Sequence, residues 1–101
     1  MSDSAFESLA DSLLAALEEG LGEHVDAELQ GGILTVDGDG GTWIVNKHAP
    51  TKQIWLSSPR SGARHYAYDA GADRWQDTRG GADLLTHLSV ELGVSLQWQA
   101  P

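Results

Sequence analysis

Asp3, Glu7, Asp11, Glu18, Glu19, Glu23, His24 and Asp26 are the side chains in this sequence best suited to chemistry, and that chemistry is cation binding. On a helix, Asp3, Glu7, Asp11 and Glu18 fall on one stripe within about 80° of one another. Carboxylates are hard oxygen donors and suit hard cations. Exposed carboxylates on a rigid helix cannot wrap an ion, so water completes the coordination. The expected site takes a cation weakly, at micromolar affinity or worse. Residues 1–46 hold ten acids and no Lys or Arg, whereas residues 47–101 hold five acids and all six bases. The halves therefore carry −10 and +1, giving the net −9. Like charges at helical i,i+4 spacing cost about 0.2–0.5 kcal/mol per pair. A face that accepts this repulsion attracts cations or a basic protein surface. It does not suit nucleic acid, whose phosphates need a basic surface.

Other chemistries find little support. The chain has no cysteine, which removes disulfides, thiolate metal sites and a Cys nucleophile. His48, His65 and His87 lack metal-ligand spacing and are expected to face solvent. Ser57-Ser58 has no nucleophile elbow or adjacent base. Gly38–Gly41 is glycine-rich like a phosphate loop, but Asp37 and Asp39 repel phosphate. No apolar run approaches the roughly 20 residues of a membrane span. The first residues, MSDSAFESLADSLL, lack the character of a secretion signal or transit peptide. The expectation is a complete bacterial cytoplasmic chain, or a mature form already trimmed, with 1–101 forming one domain.

A second site is suggested by Gln53-Ile-Trp-Leu-Ser57. In a strand, side chains alternate between faces. Ile54 and Leu56 then enter the core, and Trp55 joins Gln53 and Ser57 on the polar face. A rigid, exposed Trp beside hydrogen-bonding groups has the character of an interface hot spot.

These residues need a scaffold. Residues 4–21 read as an amphipathic helix with Phe6, Leu9, Leu13, Ala16 and Leu17 on its apolar stripe. Ser4 and Glu7 fit a capping box, and Gly20 and Gly22 stop the helix. Short strands follow at 25–30, 33–36, 42–47, 53–57, 63–68 and 74–76, with a tight Gly31-Gly32 turn between the first two. Residues 82–92 form a second helix with Leu84, Leu85, Leu88 and Leu92 inward. Trp43, Trp75 and Trp98 are expected in the packing. The architecture is α+β: a two-layer sandwich of two terminal helices on one face of an antiparallel sheet of five to six strands. The other sheet face is open.

The segments GGILTV, Gly41–Lys47 and Gln53–Pro59 resemble the sheet core of the frataxin family, whose bacterial form is called CyaY. Ser61-Gly62, Tyr66, Trp75 and LLTHLSVEL before Gly93 fit the same family in order. The resemblance spans nearly the whole chain. It implies that the acidic site takes iron (Fe²⁺ or Fe³⁺), with Mn²⁺ or Co²⁺ able to substitute, in an accessory protein of iron–sulfur cluster assembly that docks on a cysteine desulfurase and its scaffold protein. It implies no covalent chemistry by this chain. Glu28, Asn46, Lys47, Gln53, Trp55 and His65 fall on the partner surface. A monomer without metal and iron-dependent oligomers are implied, with a ferroxidase or iron store as the alternative. Membrane and nucleic acid are not implied partners. The short tail is expected to cover little of the groove between the helices.

Overall fold

The computed structural model describes all residues, Met1–Pro101. Helix α1 runs Asp3–Gly22, and six strands follow: β1 Asp26–Gln30, β2 Ile33–Gly38, β3 Gly41–His48, β4 Gln53–Ser58, β5 Gly62–Asp69 and β6 Arg74–Asp77. Helix α2, Leu84–Leu92, precedes an irregular tail. The strands lie in sequence order in one antiparallel sheet, β1-β2-β3-β4-β5-β6. Each connection between neighbouring strands is short, which makes them antiparallel neighbours. Gly31 and Gly32 adopt φ of +61° and +78°, the left-handed pair that a two-residue hairpin turn requires.

Local signals set most boundaries, with some differences from the sequence reading. The N-cap of α1 is Ser2, whose Oγ accepts from Ala5 N–H at 3.1 Å. Ser4 lies inside the first turn, so it cannot cap, and Glu7 is not half of a capping box. Gly20 stays within the helix and packs under Leu96, while Gly22 ends it. The turn after β3 is a single 3₁₀ turn, Ala49–Thr51, closed by Lys52 in the left-handed conformation. Helix α2 begins at Leu84 because Asp83 accepts from Thr86 N–H as its N-cap.

One sheet face and both helices enclose the core. Phe6, Ala10, Leu13, Leu14, Leu17 and Leu21 of α1 are buried against Leu34, Val36, Trp43, Val45, Ile54 and Leu56. Tyr66, Trp75, Leu84 and Leu88 close the other end. Trp43 and Trp75 are fully buried, and Trp98 is half-buried. The tail covers more than its length suggested. Trp98 Nε1 donates to Ser12 Oγ of α1 at 3.1 Å, its ring meets Tyr68 and Trp75, and Ala100 N–H reaches the Asp73 carboxylate. No helix is long and apolar enough to cross a membrane.

Candidate functional site

The helix acids do not stand as one free ridge. Lys47 and Val45 are two residues apart on β3 and share the helix-facing side of the sheet. Lys47 therefore points under α1, where its ammonium pairs with Glu7 and with Asp11 at 2.8 Å. Hydrogen bonds to Asp11 and Glu7 raise its pKa above the ordinary lysine value. Lys52 Nζ lies 3.1 Å from Asp3. The countercharges missing from the first 46 residues thus arrive through the fold, from β3 and the turn after it. Lys47 belongs to this ion-pair set and does not share the open face with Asn46, Gln53 and Trp55.

Glu18 has a different task. Strand β1 is a sheet edge, and edge strands present unpaired amides. Glu18 Oε2 accepts from the outward N–H of Leu29 at 2.9 Å and ties α1 to that edge. The remaining acids are less committed. Glu23, His24 and Asp26 line an open cleft of about 640 Å³ together with Asp37, Asp39 and Glu91. Glu19 shares a neighbouring shallow depression with Glu23. Asp37 and Asp39 were missed in the sequence because they belong to another hairpin. No three acidic or histidine side chains converge on one metal position. The donor set suits a hard cation that keeps most of its water, and it does not suit a tightly caged one.

The opposite sheet face carries the second site. Cross-strand register aligns Gln30, Ile33, Asn46, Trp55 and His65 in one row. Glu28 lies on the same face at the β1 edge, and Ile33 and Ile44 are 43% and 38% exposed there. Trp55 is half-buried, although no core residue covers it. His48 stacks on it at 3.6 Å between ring centres and 10° between planes. His65 stacks on the other side at 4.3 Å and 11°. The indole N–H donates to Gln53 Oε1 at 2.9 Å, and His48 Nδ1 bonds Thr51 Oγ1 at 2.8 Å. His48 was expected simply in solvent, and His65 in solvent on the partner surface that the resemblance implies; both form walls of this stack. The signal lay in sheet register, which no single strand discloses.

His87 also departs from expectation. Its side chain is 16% exposed and bonds Ser61 Oγ at 2.9 Å, with Glu91 Oε1 3.3 Å from the same Nε2. A nucleophilic triad needs the acid on the other imidazole nitrogen. Here serine and carboxylate share one nitrogen, so the group is a latch between α2 and the β4–β5 turn. Glu91 Oε1 also accepts from Trp43 Nε1 at 3.0 Å and Ser58 Oγ at 2.8 Å. Burial pushes the Glu91 carboxyl up, but the Trp43 and Ser58 hydrogen bonds override it and hold its pKa below the ordinary glutamate value.

Comparison with known proteins places this geometry in context. A frataxin of the CyaY family from Psychromonas ingrahamii superimposes with a TM-score of 0.80 at 32% identity, covering 96% of this chain and 97% of that one. A trimeric frataxin from Saccharomyces cerevisiae, complexed with ferrous iron, matches at a TM-score of 0.70 and 35% identity, over 88% and 82%. Mitochondrial frataxin from Dictyostelium discoideum is 38% identical over 91% of this chain and 48% of its own length. The mitochondrial homolog from Schizosaccharomyces pombe is 38% identical over 90% and 58%. The chain thus spans about half the length of the curated relatives it matches. Both of these relatives are mitochondrial, which overturns the expectation of a bacterial cytoplasmic protein. The model of the frataxin-like domain matches residues 1–97, and the chain belongs to that family.

Proposed function

We propose that this chain is an accessory protein of iron–sulfur cluster assembly that docks on a cysteine desulfurase–scaffold complex and holds ferrous iron weakly. The observation that carries the docking reading is the clasped Trp55. A large aromatic ring is fixed between two imidazoles at the centre of a sheet face that nothing in the chain covers. Docking usually costs side-chain ordering of about 0.5–1.5 kcal/mol per mobile residue. This ring is already ordered, so less is lost on binding. The acids of α1 and β1 add attraction for a basic patch on the desulfurase. The test is calorimetric binding to the desulfurase–scaffold complex at low and moderate salt. Micromolar binding that weakens as salt rises supports the reading, and absence of binding at both salts overturns it.

The iron reading favours the cleft over the ion-paired helix face, because Glu23, Asp26, Asp37 and Asp39 have no cationic partner, although Asp37 accepts from Thr42 Oγ1 at 2.7 Å. Glu23, His24, Asp26, Asp37 and Asp39 are the main ligand candidates, with Glu19 beside them. Asp3, Glu7, Asp11 and Glu18 must first release their internal partners. An anaerobic Fe²⁺ titration followed by amide NMR is expected to move the cleft residues first and residues 3–11 only later. Shifts confined to β5 and β6 would sink this assignment.

The ferrous-bound trimer of the yeast relative favours a second reading, an iron store or ferroxidase built from iron-dependent oligomers. It requires sedimentation of larger species with Fe²⁺ and oxygen uptake above the uncatalysed rate.

A further inference from the structure

The three-ring stack determines what kind of surface a partner meets, and this inference rests on the docking reading above. Both faces of the Trp55 indole are covered, and its N–H is committed to Gln53. A partner therefore touches the edges of three nearly parallel rings. His48 uses Nδ1 on Thr51, which leaves Nε2 for a partner.

Charge around the stack is unusually sparse. On the open face the neighbours of Trp55 are Ile44, Asn46, Gln53, Ser57, Ala63 and Ala67, and none is charged. The nearby bases are engaged elsewhere. Lys47 pairs beneath α1, Lys52 with Asp3, and Arg64 with Asp77, while Arg60 donates to the Glu91 backbone carbonyl. Arg74 stands opposite Asp69 at the far end of β5. Arg79 lies exposed beyond β6, with its N–H on Asp77. Glu28 lies three strands from Trp55, and Asp69 lies four residues beyond His65. At standard strand spacings Glu28 is about 16 Å and Asp69 about 14 Å away, outside a Debye length of about 10 Å at 0.1 M salt.

The charge of this platform is thus set by His48 and His65. Histidine is the side chain that changes charge between about pH 5 and 8. Neutral imidazoles make an uncharged aromatic patch. Imidazolium rings still stack well, because a cation over an indole face is attracted to its π-system. Each also offers a charged N–H at the platform edge, which fits a carboxylate.

We propose that the His48–Trp55–His65 stack is a docking platform for a protein segment that presents carboxylates, gripped more tightly as pH falls and the imidazoles become charged. The acidic α1–β1 end and the histidine platform then select opposite charges on one partner, which fixes its orientation.

The test is calorimetric binding of the whole chain to the desulfurase–scaffold complex at about pH 8 and about pH 6, at constant ionic strength. The wild-type dissociation constant is expected to fall roughly fivefold at the lower pH, the size of one well-placed, partly exposed ion pair. A His48→Gln/His65→Gln double variant is expected to bind equally at both. His65→Arg is expected to bind at the higher pH as tightly as wild type does at the lower. NMR titration of the chain alone should show the His48 and His65 ring protons and the Trp55 indole N–H moving together. Wild-type binding without pH dependence, pH dependence kept by the double variant, or an indole that ignores the titration would each overturn the proposal while leaving docking intact. No binding by any variant at either pH overturns the docking reading, and this inference with it.

Discussion

Replacing Glu91 with alanine is expected to lower the stability of the fold by about 3 kcal/mol. The Glu91 side chain is 9% exposed and gathers two donors from two strands, Trp43 of β3 and Ser58 at the end of β4, with His87 Nε2 one turn back on α2 at 3.3 Å. Ser58 in turn accepts the N–H groups of Arg60 and Ser61, each at 3.0 Å, so the carboxylate also braces the β4–β5 turn. Removal leaves the Trp43 N–H and the Ser58 hydroxyl buried without an acceptor, and each orphan costs about 1–3 kcal/mol. For a chain of this size the melting temperature should drop by about 15 °C. Glu91→Gln keeps an acceptor oxygen and is expected to lose about half as much. The loss also depends on pH. The carboxyl pKa is lower in the folded chain than in the unfolded one. Its charge therefore stabilises the fold above the ordinary glutamate range, and that contribution disappears as pH falls through the lower folded value. Urea midpoints of wild type and Glu91→Gln should converge in that acidic window. A gap that stays constant or widens there would contradict the assignment.

Replacing Trp55 with alanine is expected to weaken docking on the desulfurase–scaffold complex by about 2 kcal/mol, roughly thirtyfold in dissociation constant. Stability should fall by only about 1 kcal/mol. The ring packs on His48 and His65 rather than on the core, and its loss leaves one side-chain hydrogen bond unmade, at a partly exposed site. Trp43→Ala is the contrasting control. That ring is fully buried, so its removal should cost about 3–5 kcal/mol. Thermal melts and binding isotherms on both variants separate the roles. If Trp55→Ala melts like Trp43→Ala, the ring is part of the packing, and the hot-spot assignment fails.

Some of this protein was fixed by its one-dimensional pattern. Alternation in Gln53–Ser57 decides that Ile54 and Leu56 go inward and Trp55 outward, because strand side chains have period two. The stripe of Phe6, Leu13 and Leu17 decides which side of α1 meets the sheet, because helical period brings those positions together. Short polar turns between β-rich segments decide an antiparallel order. Even the charge imbalance between the halves is legible as a count.

What the sequence alone could not decide is which distant residues answer one another. The acid face of α1 looked uncompensated because Lys47 and Lys52 lie 36 or more residues after Asp11. Only the placement of β3 beneath α1 brings Lys47 into contact with Glu7 and Asp11. Glu18 seemed one more ridge acid until the β1 edge supplied the Leu29 N–H. His87 looked exposed because its helical position ignores the β4–β5 turn that folds over it. His48 and His65 flank Trp55 only through the register of β3, β4 and β5. Periodicity tells each side chain which face it takes. Register and layer packing decide its partner, since a contact between residues far apart in the chain is a property of the assembled sheet.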